Sequence, residues 1–150
     1  MPQSLACVLV HAVFSTKNRE PFIQPDIEKE LYPYIATILQ TGGSPALTIG
    51  GTADHLHILY SLSRTKTIAS VIEDIKSDSS KWIKQKGTAY SRFYWQSGYG
   101  AFSIGQSSVE ALKGYISGQK AHHRKASFQD EFRDLLLKYE IPFDERYVWD

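Results

Sequence analysis

The chain has 150 residues, 42% of them hydrophobic and 22% charged, a balance that fits one folded domain (residues 1–150) and argues against wholesale disorder. The formal net charge is only +1, and no apolar run approaches the ~20 residues needed to cross a bilayer, so no membrane-spanning helix is expected. The single cysteine, Cys7, cannot form an intrachain disulfide, and Met1-Pro2-Gln3-Ser4 lacks the basic start of a secretion signal, so a reducing cytoplasm is the expected compartment.

In chain order, the first element is Leu5 to Phe14, apolar and β-branched, which predicts a buried strand broken by the polar run Ser15 to Arg19. From Asp26 to Gln40, Ile27, Leu31, Ile35, Ile38 and Leu39 recur at helical spacing, and Gly42-Gly43 gives the stop. Pro33 inside this stretch predicts a kink there or a helix that starts near it. Ala46 to Gly50 and His55 to Leu62, separated by Gly51 to Asp54, read as an antiparallel hairpin. Thr67 onward predicts a helix with Ile68, Val71, Ile72, Ile75, Trp82 and Ile83 on one face, closed by Gly87. Phe93 to Trp95 and Tyr99 to Ile104 read as a strand or hairpin with a bulge at the glycines. Ser107 with Glu110 has the spacing of a capping box, which predicts a helix from there to about Arg124. A last helix, Phe128 to Tyr139, carries Phe128, Phe132, Leu135, Leu136 and Tyr139 on one side and ends at Ile141-Pro142. The order β-α-β-β-α-β followed by further helices is the ferredoxin-like pattern, an α+β sheet with helices on one face plus additional C-terminal helices.

Charge is unevenly spread along this frame. Residues 1–63 carry three basic and five acidic side chains, net −2, and residues 126–150 carry three and seven, net −4. Residues 64–125 between them carry eleven and four, net +7. A positive block of that size suits a phosphate backbone, which it binds by Coulomb attraction and counterion release, although lysines of this kind also form plain solvated faces.

Two short patterns carry the chemistry. In His55-Leu56-His57 the two imidazoles sit at i and i+2 on a strand, so they project from one face, roughly 6–7 Å apart along the backbone. Such a pair can converge on one metal, yet alone it is more often structural. Tyr115 and Gln119, four residues apart on a helix, lie about 40° apart beside the stripe of Val109, Leu112 and Ile116. If that helix covers the histidine face, all four groups share a pocket. The plainer reading of Tyr115 is a half-buried phenol bonded to a neighbour. His122, about 20° from Tyr115 but two turns on, is placed either to contact DNA or to complement a helix C-terminus.

With those residues in view, the chain resembles the bacterial single-strand DNA transposases of the one-tyrosine His-hydrophobic-His class, which include the REP-associated tyrosine transposases. The resemblance rests on Val13 to Arg19, Asp54 to His57, Trp95 to Ser103, Tyr115-x3-Gln119 and the tail from Phe128-x2-Glu131-Phe132 to Trp149. It implies a DNA transposase that cleaves and rejoins single-stranded, hairpin-bearing ends, with Tyr115 as the nucleophile of a covalent phosphotyrosine. It also implies His55, His57 and Gln119 as ligands of a divalent metal, Mg²⁺ or Mn²⁺, and a homodimer in which the tyrosine helix of one subunit can complete the site of the other. No nucleotide cofactor is needed.

The chemistry is coherent, because a phenol with an ordinary pKa of about 10 needs help at neutral pH, and a divalent ion beside the phosphate supplies it. Around that centre, Asp54 and His11 are candidate supports for the histidines, with a turn residue and core packing as their plainer readings. Lys17, Arg19, Arg64, Lys81, Arg92, Lys120, His122 and Arg124 are candidate DNA contacts, Lys66, Lys76 and Lys84 are further phosphate-contact candidates with a plain solvated charge as the alternative, and Tyr99 and Phe102 could stack on unpaired bases. Alternatives in other directions are a domesticated enzyme that processes repeated palindromes in a host chromosome, a non-catalytic ferredoxin-like nucleic-acid-binding protein, and a metal-dependent nuclease without a covalent step.

Overall fold

A computed structural model describes residues 2–150; Met1, part of the opening stretch read above for a secretion signal, lies outside the described residues. The first strand, β1 (Leu9–Ser15), is buried along its whole length because it has a neighbour on each side. It pairs antiparallel with β3 (His55–Ser61) from Leu9↔Ser61 to Ser15↔His55, and with β4 (Gly100–Ile104) from Leu9↔Ile104 to Val13↔Gly100. With β2 (Ala46–Gly51) outside β3, the sheet order is β2-β3-β1-β4, so the predicted ferredoxin-like α+β arrangement is observed. The strand starts later than predicted, at Leu9: Leu5 and Val8 are exposed, although the Val8 carbonyl still accepts a hydrogen bond from the Leu62 N–H.

Because side chains alternate across a strand, this register divides the sheet into two faces. Val10, Ala12, Phe14, Leu56, Ile58 and Tyr60 point into a core closed by α1 (Pro25–Thr41) and α2 (Ile68–Lys84). In α1 the stripe Ile27, Leu31, Ile35 and Leu39 makes that contact, with Pro25 opening the helix and Asp26 and Glu28 in its first turn, where a carboxylate suits the helix dipole. The helix runs through Pro33, which is exposed, so the proline ends nothing. In α2 a Thr67–Ser70 capping box sets the start, and Val71, Ile72, Ile75 and Ile83 are buried.

The other face is covered by α3 (Val109–Ser117), α4 (Gln119–His122) and α5 (Phe128–Lys138). Helices therefore lie on both faces of the sheet, the C-terminal ones opposite α1 and α2. Two glycines allow the close approach. A Cβ on Gly50 would sit 2.3 Å from the Ile116 carbonyl oxygen, and one on Gly100 would sit 2.5 Å from the Phe132 ring.

Three local expectations change. Phe93 to Trp95 is not a strand but a loop, with Phe93 and Trp95 buried and Tyr94 exposed, touching the sheet at one bridge, Thr16↔Trp95. Its continuation is held by the Lys76 ammonium, which donates to the carbonyls of Gln96 at 2.8 Å and Gly98 at 2.6 Å. The Ser107–Glu110 capping box does not form. Gln106–Ser108 is a 3₁₀ turn with Ser108 N–H already bonded to the Gly105 carbonyl, and α3 starts at Val109. Finally, the helix predicted to reach Arg124 breaks at Gly118, a residue of poor helix propensity, so Tyr115 and Gln119 belong to two successive pieces, α3 and α4.

Candidate metal centre and tyrosine site

The face under α3–α5 receives His11 from β1 and both His55 and His57 from β3, all buried. Gln119 opens α4 above them, Tyr115 comes from α3, and two residues the sequence reading gave no role, His123 and Glu131, complete the group. Glu131 is the hub. It is only 4% exposed, although it is a carboxylate within the apolar stripe of α5 between Phe128 and Phe132.

The two oxygens of Glu131 face different partners. Oε1 lies 2.9 Å from His57 Nε2, 3.0 Å from His123 Nε2 and 3.5 Å from His55 Nε2. Oε2 accepts hydrogen bonds from the Tyr115 hydroxyl and, at 2.9 Å, from the Gln119 amide nitrogen, with His122 Nε2 3.4 Å away. That second bond orients the Gln119 amide, whose oxygen then faces His55 Nε2 at 2.9 Å.

Each of the three inner imidazoles has its outer nitrogen occupied. His55 Nδ1–H donates to Asp54 Oδ1 at 2.7 Å, and Thr52 steadies that carboxylate with a 2.8 Å bond. His57 Nδ1 shares a 2.8 Å hydrogen bond with His11 Nε2. His123 Nδ1–H donates to the Ala126 carbonyl at 2.6 Å. All three rings therefore present Nε2 to the centre, the arrangement in which a histidine tethered through one nitrogen offers the other to a metal. The ligand atoms of His55, His57, His123 and Glu131 all lie within 4.8 Å of one another. His55 Nε2 faces two acceptors, Gln119 Oε1 and Glu131 Oε1, and a bare lone pair there would be repelled by both. The position calls for a proton or a cation.

The electrostatics follow the same geometry. Burial opposes charge on His55, but hydrogen bonds to Asp54, Glu131 and Gln119 outweigh it and raise its pKa to about 9. Burial and the adjoining His57 hold His11 down at about 3, so it is a neutral partner, and burial lowers His57 as well. Burial also works against ionisation of Glu131, yet the bonds from His123, His55 and His57 prevail and keep its carboxyl well below the usual range. For Tyr115, burial and the bond to the Glu131 carboxylate both raise the pKa above the ordinary value of 10.0, so the resting phenol is neutral.

The predicted residues are thus brought together within one chain: Tyr115, Gln119, His55 and His57, with Asp54 and His11 bonded behind the histidines. The candidate DNA contacts separate. Arg19, Lys120 and Arg124 line a cavity of about 560 Å³ that also touches Asp54 and His123, although the Lys120 ammonium pairs with Glu28 at 2.5 Å. His122 and Tyr115 line a second cavity of about 550 Å³ with His11, Leu112, Leu135 and Tyr139. Lys17 and Arg92 share a third with Tyr94. Arg64 lies in the loop after β3 and Lys81 on exposed α2, and neither lines these cavities. Lys76 is committed to carbonyls and Phe102 to the core, which removes both from the exposed binding set.

Besides its place in the Phe128-x2-Glu131-Phe132 tail, Glu131 left a physical signal in the sequence, an acid among the apolar positions of an amphipathic helix, where an unpaired carboxylate is rarely found. His123 left none beyond its neighbour His122.

A ferredoxin-like sheet with a histidine-carboxylate centre beside a tyrosine defines the class, and the comparisons name the family. Residues 5–119 match the IS200-like transposases, and the chain belongs to that family. No curated protein sequence matches it. Among solved structures, a protein from Deinococcus radiodurans R1 described as a transposase aligns with TM-score 0.62 at 15% identity, covering 77% of this chain and 95% of that one. A REP-associated tyrosine transposase bound to a REP hairpin aligns with TM-score 0.56 at 14% identity, covering 77% of this chain and 70% of its own. At those identities the two structures share the fold.

Proposed function

We propose that this transposase cleaves and rejoins single-stranded, hairpin-bearing DNA through a covalent phosphotyrosine at Tyr115, with a divalent ion held at His55, His57 and Gln119. The observation that carries the reading is the placement of the Tyr115 phenol beside its own chain's histidine pair, on the carboxylate those histidines share. The hairpin in the similar REP-associated structure supports the substrate class. A free, exposed Cys7 suits the cytoplasm.

In the reaction, the Tyr115 phenol gives up its proton to solvent as its oxygen attacks the scissile phosphorus. One phosphorus–oxygen bond to deoxyribose breaks, and the departing sugar oxygen takes a proton. The phosphotyrosyl bond keeps the phosphodiester energy, so a sugar hydroxyl of another DNA end can reverse the step and free the phenol. Bound Mg²⁺ or Mn²⁺ would polarise the phosphate and offset charge in the transition state, which the neutral resting phenol requires. His11 and Asp54 fix the two imidazoles; His122, Arg19 and Arg124 are the nearest candidate groups for the strand. The contacts within one chain favour Tyr115 acting on its own subunit's centre, and a homodimer would then bring two such centres, and two DNA ends, together.

The test is a hairpin oligonucleotide incubated with protein and Mn²⁺ or Mg²⁺ and resolved under denaturing conditions. A protein–DNA adduct that needs the metal and disappears in Tyr115→Phe is expected. An adduct that persists in Tyr115→Phe, or hairpin binding that ignores chelator and yields no covalent product, overturns the reading.

A further inference from the structure

Glu131 lies beyond the residues that match the family, which end at 119. A carboxylate in the apolar stripe of a helix costs several kcal/mol of desolvation unless strong partners replace water. Here both oxygens are replaced, and by different kinds of partner. Oε1 points at the inner nitrogens of His57, His123 and His55, whereas Oε2 takes the hydrogen of the Tyr115 phenol and of the Gln119 amide.

We propose that Glu131 couples the metal to the nucleophile, with Oε1 serving as a ligand beside His55 and His57 while Oε2 positions the Tyr115 phenol. The inference rests on the function proposed above and changes the make-up of its centre. Three neutral ligands become two imidazoles and a carboxylate, with the Gln119 oxygen beside them at His55 Nε2. Hard divalent cations favour carboxylate oxygen over amide oxygen, which makes Glu131 the stronger third ligand. His123, tethered to the Ala126 carbonyl, offers a fourth donor from the same side.

The second oxygen gives the carboxylate its positioning role. The Tyr115 ring is half-buried at the wall of the cavity lined by His11, Leu112, Leu135 and Tyr139. A phenol there has a free rotor unless something fixes the hydroxyl. Glu131 fixes it on the same group that holds the ion, so nucleophile and Lewis acid are set at a constant separation before the strand arrives. The carboxylate comes from α5, and α5 is anchored by Phe128, Phe132 and Leu136 in the core. Geometry at the reacting oxygen is thereby inherited from the packing of the apolar side chains that flank Glu131 on the same face of that helix.

Mn²⁺ binding, measured by electron paramagnetic resonance on the full chain, and single-turnover adduct formation with a hairpin oligonucleotide test the coupling. Glu131→Gln keeps the volume of the side chain and is expected to weaken Mn²⁺ binding at least about tenfold, more than Gln119→Ala does. At saturating Mn²⁺ the variant should still form adduct more slowly while hairpin affinity is unchanged. Tyr115→Phe should bind Mn²⁺ as the wild type does. Should Glu131→Gln fail to fold, anomalous diffraction from wild-type crystals soaked in Mn²⁺ decides: an ion bonded to Glu131 Oε1 is expected, and an ion on His55, His57 and Gln119 with Glu131 unbound overturns the proposal. Wild-type Mn²⁺ affinity and adduct rate in Glu131→Gln overturn it while leaving the proposed function intact. A wild-type protein that binds no Mn²⁺ overturns both.

Discussion

The two faces of the sheet are cut from the same strands yet obey different rules. On one, Val10, Ala12, Phe14, Leu56, Ile58 and Tyr60 meet α1 and α2 through apolar contact. On the other, His11, His55 and His57 meet α3–α5 through a network in which nearly every nitrogen has an oriented partner. Apolar burial is non-directional and tolerates repacking, so the first face supplies stability. A polar network in a dry interior works only when each member is satisfied, so the second face supplies geometry and is sensitive to single atoms.

The contrast predicts effects of different kind and size. The largest is on the polar face: His57→Ala should abolish metal-dependent adduct formation while the protein still binds hairpin DNA, read on the same gel and by fluorescence anisotropy. Adduct formation at a normal rate would show that this face is merely structural. Phe14→Ala, one strand away on the apolar face, should cost about 3–5 kcal/mol in denaturant unfolding. The molecules that remain folded should form adduct at the normal rate, and a loss per folded molecule like that of His57→Ala would erase the distinction between the faces.

Next in size is the pH dependence of the metal-free protein. The folded-state pKa of His55, about 9, lies above its ordinary 6.5. Its contribution to stability is therefore complete below pH 6.5 and lost as the pH rises through about 9. His11, held at about 3, acts on the other side: the unfolded ring gains a proton between pH 6.5 and 3 that the folded ring refuses, so stability falls with acid. Denaturation in chelator should show a maximum near pH 6.5, and Mn²⁺ affinity should climb with pH towards 9 as the His55 proton leaves. A profile flat from pH 6.5 to 9 would contradict the His55 assignment.

The smallest effects concern charge. Arg124→Ala should weaken hairpin binding modestly and reduce its dependence on log salt by roughly one unit. Lys81→Ala, on α2 behind the apolar face, should change neither, and an equal effect of the two would mean that the strand does not favour the face with the histidines.

Much of this division was legible beforehand. The alternation in His55-Leu56-His57 already placed both imidazoles on one side and Leu56 on the other, and helical spacing in 26–40 and 67–83 found the helices that cover the apolar side. Such patterns are local, and local signals survive folding. What escaped depends on contacts far apart in the chain. Trp95 has strand composition, but beyond its one bridge the Ser15 N–H is taken by the Gln96 side-chain oxygen and the carbonyls of Gln96 and Gly98 by Lys76, so no ladder extends there. Ser107 and Glu110 have capping spacing, but the turn at Gly105 begins the helix without them. Glu131 carried a visible anomaly, an acid in an apolar stripe, whose partners on β3, α3 and α4 only the folded chain reveals.

The interleaving of the faces on β3 also bears on how this protein can evolve. Along His55–Ser61, residues that face the histidine–carboxylate centre and residues that face the apolar core take turns, so neither set can be inherited without the other. Substitutions can tune one face at a time, but one residue gained or lost in the turn at Thr52–Asp54 would shift the strand's pairing and exchange every inward residue for an outward one. Lineages of this chain should therefore drift freely in sequence at Lys81 or Arg64 while keeping the length of that turn fixed.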